Sequence, residues 1–114
     1  MDRRVTIFAS DPALLSALQF SLTIEGFDVC VDAEHPSSAS CLIIDQKYHG
    51  DGLTWLAGLR AHGNASPAIL LVTHPDRTVR ASATALGARL IEKPLTGNEL
   101  ADALTDSLTR PSAV

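Results

Sequence analysis

The chain has 114 residues, 46% of them hydrophobic and 19% charged, with a formal net charge of −4. That is the size of one domain with enough apolar material for a single core, and it excludes a disordered segment. The negative balance argues against a general nucleic-acid binder, and no apolar run approaches the ~20 residues of a membrane helix.

The start of the chain, Met1-Asp2-Arg3-Arg4, leads into a strand pattern and then Asp11-Pro12, not a signal-peptide core. A cytoplasmic protein is the default expectation. Val5 to Phe8 forms the first short strand. Asp11 supplies an N-cap and Pro12 the first helical position, after which Leu14, Leu15, Leu18 and Leu22 recur at helical spacing until Gly26 stops the helix. Phe27 to Val31 alternates as a second strand. Cys41 to Ile44 is a third, apolar on both faces as an interior parallel strand should be. Cys30 and Cys41 are too few for a disulfide framework and read as small buried apolar residues.

Leu53, Leu56 and Leu59 mark the next helix, ending near Gly63. Ala68 to Val72 is a buried fourth strand. Pro75 opens a helix carried by Val79, Ala83 and Leu86 and stopped at Gly87, and Arg89 to Ile91 is a brief fifth strand. The last helix begins at Thr96, with Glu99 completing a capping box and Leu100, Leu104 and Leu108 as its apolar stripe. Residues 1–109 thus form the domain, and 110–114 a frayed tail.

Short strands alternating with helices indicate a doubly wound parallel α/β sheet. One connection departs from that pattern. Only nine residues, Asp32 to Ser40, separate the second and third strands. A parallel crossover takes about a dozen residues or more, but nine extended residues span about 30 Å, so a loop or a single helical turn suffices. A hairpin between these strands is the competing reading.

In such sheets ligands bind beyond the carboxyl ends of the strands. Asp45 follows the third strand, Thr73 the fourth and Lys93 the fifth. A carboxylate, a hydroxyl and an ammonium then meet at one edge, a set suited to phosphoryl chemistry with Asp45 as nucleophile and Thr73 and Lys93 as donors. The plainer alternative is that each residue only caps or solvates its loop.

Leu42-Ile43-Ile44-Asp45, Gly50-Asp51-Gly52-Leu53, Leu70-Leu71-Val72-Thr73, Leu86-Gly87-Ala88 and Glu92-Lys93-Pro94-Leu95 occur in an order and at intervals that resemble the receiver domain of bacterial response regulators. The resemblance runs from about Val5 to Leu108. It implies a flavodoxin-like sheet of five parallel strands in the order 2-1-3-4-5, with Asp45 in the place of the phosphoacceptor, Thr73 in that of the switch hydroxyl and Lys93 in that of the invariant lysine. A cis Lys93-Pro94 bond, a histidine kinase or other signalling protein as partner, and a homodimer through the last two helices are further implications.

Several family features are replaced. The two acidic residues that hold Mg²⁺ fall on Ala9 and Ser10, neither a carboxylate, and Asp11, one position later, is the helix cap. The family's second helix is shortened or missing. The loop from Asp45 to Gly52 is one residue short, with Tyr48-His49 in place of its proline region, and the aromatic reporter position is Leu90. The resulting expectation is a receiver-like, two-component signalling domain that acts through protein contacts, with Mg²⁺-dependent phosphorylation at Asp45 impaired or absent. The alternative is a competent receiver that takes a phosphoryl group from a histidine kinase on Asp45.

His49 and His74 flank the same edge and could bind Zn²⁺ with a carboxylate, but no short-range ligand spacing supports this, and exposed loop residues are expected. His35 and His62 read as loop and helix-end residues, and Trp55 as a core or rim residue. A GTPase would need a phosphate-cradling glycine loop that is missing, and no helix-turn-helix follows the last helix to suggest a DNA-binding output.

Overall fold

The structure, a computed structural model, describes residues 4–31 and 41–93. Within them lie five strands and three helices: β1 (Arg4–Phe8), α1 (Pro12–Ile24), β2 (Asp28–Val31), β3 (Cys41–Asp45), α2 (Gly52–Ala61), β4 (Ala68–Val72), α3 (Arg77–Ala85) and β5 (Ala88–Glu92). A single 3₁₀ turn, Tyr48–Gly50, precedes α2. The expected last helix from Thr96, the Lys93-Pro94 bond, the tail and the connection 32–40, where the shortened second helix was expected, lie outside the described residues.

The sheet order is β2-β1-β3-β4-β5, and every pairing is parallel. β2 and β3 each pair with β1, so the hairpin reading is excluded. β3 and β4 are buried along their whole length. Because side chains alternate across a strand, Cys41 and Ile43 pack with Ile69, Leu71, Leu18 and Leu22 on the α1 side. Leu42 and Ile44 pack with Leu70, Val72 and Leu56 on the other side. Both faces are apolar because both are covered, which is why these strands read as continuous hydrophobic runs.

The helix ends follow local chemistry. Asp11 caps α1 by accepting from Ala13 N at 3.0 Å. At its other end Gly26 adopts φ 92, a left-handed backbone that glycine enters without steric cost. This lets Gly26 N donate to Thr23 O at 3.1 Å and Phe27 N to Leu22 O at 3.0 Å, closing the last turn. Phe27 is consumed by that closure, so β2 starts one residue later than expected.

α3 begins at Arg77 rather than Pro75. Asp76 is the cap that sets its start, accepting from Val79 N at 2.8 Å. A carboxylate acceptor for an orphan helical N–H outweighs the favourable φ of a proline two residues earlier. Arg60 ties the far end of α2 to its neighbours: Nε donates to Leu86 O at 2.9 Å, and one terminal nitrogen donates to Ser66 O at 2.6 Å and Asn64 O at 3.2 Å. Partial burial lowers the guanidinium pKa from its ordinary value.

Cys41 is buried as expected, but Cys30 is exposed. The error is one of parity: β2 is an edge strand, and Cys30 lies on the same face as exposed Asp28, while Val29 and Val31 turn inward. Burial pushes the Cys41 thiol up to about 12, far from the thiolate that alkylation requires. Mass spectrometry of the native protein after iodoacetamide should therefore show one label, on Cys30, with Cys41 labelled only after unfolding.

Candidate functional site

The carboxyl ends of β3, β4 and β5 bring together part of the expected set. β3 carries Asp45 to its last position, where the residue is 4% exposed. β5 ends at Glu92, and Lys93 N donates to Val72 O at 2.7 Å, which fixes the chain just beyond the strand. From there the Lys93 ammonium reaches Asp45 Oδ1 at 2.5 Å. The second carboxylate oxygen, Oδ2, accepts from Lys47 N at 3.1 Å. A buried carboxylate is thereby held on one side by a cation and on the other by a local turn.

Thr73 joins this arrangement only indirectly. Its backbone N–H donates to Gln46 Oε1 at 3.3 Å, while Gln46 N is held by Leu71 O at 2.9 Å. Among the described residues the Thr73 hydroxyl is hydrogen-bonded to neither Asp45 nor Lys93. Gln46 and the Lys47 amide were not singled out from the sequence. The Lys47 contact has a legible source, since an aspartate commonly bonds the N–H two residues on in a turn, whereas the Gln46 bridge between two loops leaves no local trace. His74, next to Thr73, is exposed and has φ 48, a left-handed backbone uncommon outside glycine.

Gly52 sets the distance between α2 and Asp45. Its N–H donates to Gln46 O at 2.8 Å, and a Cβ at this position would run into the carbonyl oxygen of Asp45 and lie 2.9 Å from Ile44 Cγ2. The first turn of α2 therefore rests directly on the backbone that presents the carboxylate. Behind it, Phe8, Tyr48 and Trp55 form an aromatic trio with ring centroids 5.4–5.5 Å apart, placing Trp55 at the rim of the core as its sequence position suggested.

The residues after β1 do not suit a divalent cation. Ala9 is 2% exposed and contributes a methyl group; Ser10 is exposed. The Asp11 carboxylate is engaged in capping α1, and Asp45 is engaged by Lys93 and Lys47. Mg²⁺ asks for near-octahedral oxygen ligation with carboxylates among the donors, and that donor set is not assembled here. Among the described residues no three His, Cys, Asp or Glu side chains are grouped to hold a metal ion. The His49 side chain is outside what is described.

Neither a protein-family model nor a curated protein matches the sequence. Solved structures do. Full-length FixJ from B. japonicum is 25% identical with a TM-score of 0.80, over 92% of this chain and 57% of FixJ. The receiver domain of TorR, the response regulator of the TMAO respiratory system, is 25% identical with a TM-score of 0.74, over 91% of this chain and 94% of the other. A structure described as adenylate cyclase from Rhodopirellula baltica is 20% identical with a TM-score of 0.80, over 95% of this chain and 88% of that one. With five parallel strands in the order β2-β1-β3-β4-β5 and an Asp45–Lys93 pair at their carboxyl edge, the chain has the fold of the receiver domains of two-component response regulators.

Proposed function

We infer that this is a pseudo-receiver, a signalling module that works through contacts with another signalling protein and not through Mg²⁺-dependent phosphorylation of Asp45. The observation that carries this reading is the donor set after β1: a buried methyl at Ala9, a hydroxyl at Ser10 and a carboxylate at Asp11 already committed to Ala13 N. Phosphoryl transfer depends on neutralising the charge of the group in flight. Lys93 supplies one positive charge to Asp45, and among the described residues no second cation is bonded to that carboxylate. The Asp45–Lys93 pair then serves as a structural tie between β3 and β5 that keeps the receiver surface in one arrangement.

Helix α1 supports the protein-contact part of the reading. Its thirteen residues include no charged side chain, and its outward face leaves Phe20 70% and Ile24 66% exposed. Two large apolar side chains one turn apart on an uncharged helix are suited to a partner surface. A histidine kinase or another signalling protein fits this role. Of the homodimer face expected from the last two helices, α3 is described, and the helix expected from Thr96 lies outside the described residues.

The retained pair favours the competing reading of a competent phosphoacceptor, and Mg²⁺ binding separates the two. Trp55 packs against Phe8, the residue next to Ala9, so its fluorescence reports on the segment where the cation would bind. Titration with Mg²⁺ to millimolar concentrations is expected to leave the Trp55 emission unchanged. A saturable change that disappears in Asp45→Asn would overturn the pseudo-receiver reading.

A further inference from the structure

Between α2 and α3 lies a cleft with a volume of about 800 Å³, lined by neither Asp45 nor Lys93. This is within the range of roughly 300–1,000 Å³ usual for small-molecule sites. Its apolar wall comes from Leu53 and Ala57 on α2, Val79 on α3 and Leu86 just beyond it. Lys47, Thr73, Thr78 and Ser82 bring polar groups to the same space.

The polar groups are not equally engaged. Asp51, the one carboxylate in the lining among the described residues, is committed: Oδ1 accepts from Leu53 N at 3.0 Å and Oδ2 from Thr54 Oγ1 at 2.9 Å. Lys47 Nζ and the hydroxyls of Thr73, Thr78 and Ser82 have no hydrogen-bond partner among the described residues. Among the described residues, one available cation, three available hydroxyls and an apolar wall share this cleft, and the lining acid Asp51 is already engaged.

We propose that this cleft is a binding site for a small amphiphilic acid, with the anionic head at Lys47, hydrogen bonds to the threonine and serine hydroxyls, and the apolar body against Leu53, Ala57, Val79 and Leu86. The site is coupled to Asp45 by short covalent and hydrogen-bonded paths. Lys47 holds Asp45 Oδ2 through its backbone N–H, and Thr73 is tied to Gln46. Occupancy would set the conformation of the two loops that flank the carboxylate, an input that needs no phosphoryl group. The proposal therefore extends the pseudo-receiver reading, but its test does not involve Asp45 chemistry.

The probe is 8-anilinonaphthalene-1-sulfonate, an aromatic monoanion, added to the full chain without phosphodonor or Mg²⁺. Amide chemical shifts and dye fluorescence are followed together, with near-UV circular dichroism confirming that each variant stays folded. The expected result is saturable one-to-one binding, with shifts confined to the segments around 46–57 and 73–86. Ala57→Phe should weaken binding at least about tenfold by filling the cleft. Lys47→Met, an exposed substitution that leaves its backbone N–H intact, should weaken it about three- to fivefold. Phe20→Ser should leave it unchanged. Absence of saturable binding, shifts centred on Phe20 and Ile24, or wild-type affinity in both Lys47→Met and Ala57→Phe would each overturn the proposal.

Discussion

Lys93→Met should destabilise the domain by about 2–3 kcal/mol, and adding Asp45→Asn should recover most of that loss. The single substitution removes the cation at 2.5 Å from a carboxylate whose side chain is only 6% exposed. An ionised group is then left buried with the Lys47 N–H as its remaining partner. Breaking a fully buried pair costs about 3–5 kcal/mol. The Lys93 side chain is itself 25% exposed, so water screens part of the interaction and the lower figure applies. The amide introduced by Asp45→Asn would keep an oxygen for Lys47 N without the charge. The double-mutant cycle, read by urea denaturation, should give a coupling of about 2 kcal/mol. Additive effects of the two substitutions would mean that the pair contributes no tie between β3 and β5.

Gly52→Ala should cost about 3 kcal/mol or more, because the new methyl meets the Asp45 carbonyl oxygen, and backbone cannot rotate away as a side chain can. Relief requires α2 to move off β3, which also disturbs the N–H of Gly52 on Gln46 O. Gly58 in the same helix provides the contrast. A Cβ there would meet nothing within 4 Å, so Gly58→Ala should be neutral or stabilise by about 0.5–1 kcal/mol through helix propensity. Thermal or urea melts of the two variants side by side separate close approach from glycine's general effect on helices.

Much of this arrangement could be read from the residues. The runs Cys41 to Ile44 and Ala68 to Val72 announced strands covered on both faces, and Asp11-Pro12 announced the start of α1, because these features are local. The convergence of Asp45 and Lys93 was legible only through topology: once the strands are parallel, their carboxyl ends must share an edge. What escaped depends on neighbours distant in sequence. Alternation marks β2 as a strand, but which parity faces out, and so the exposure of Cys30, is decided by its edge position beside β1. At the start of α3 two competing signals, Pro75 and Asp76, lie side by side, and the carboxylate's bond to Val79 N prevails. Gln46 and Arg60 act across 27 and 26 residues respectively, and no periodicity marks such contacts. Thr73 connects to the residues beside Asp45 through its backbone N–H and not its hydroxyl.

The residues after β1 support the proposed reading. Ala9 sits in the core with Val5 and Ile7, so a carboxylate there would have to be buried beside aliphatic side chains, a costly placement without a metal to offset it. The same segment thus favours packing over ligation, and Asp11 favours capping over swinging inward. The domain has a receiver's scaffold and an Asp45–Lys93 pair at its carboxyl edge, while the segment after β1 offers a methyl, a hydroxyl and a capping carboxylate.

The most direct measurement is intact-protein mass spectrometry after incubation with a small phosphodonor such as acetyl phosphate, with and without Mg²⁺, on the wild type and Asp45→Asn. The pseudo-receiver account predicts no added phosphoryl mass on the wild type under either condition. A phosphoryl adduct that requires Mg²⁺ and is lost in Asp45→Asn would contradict it.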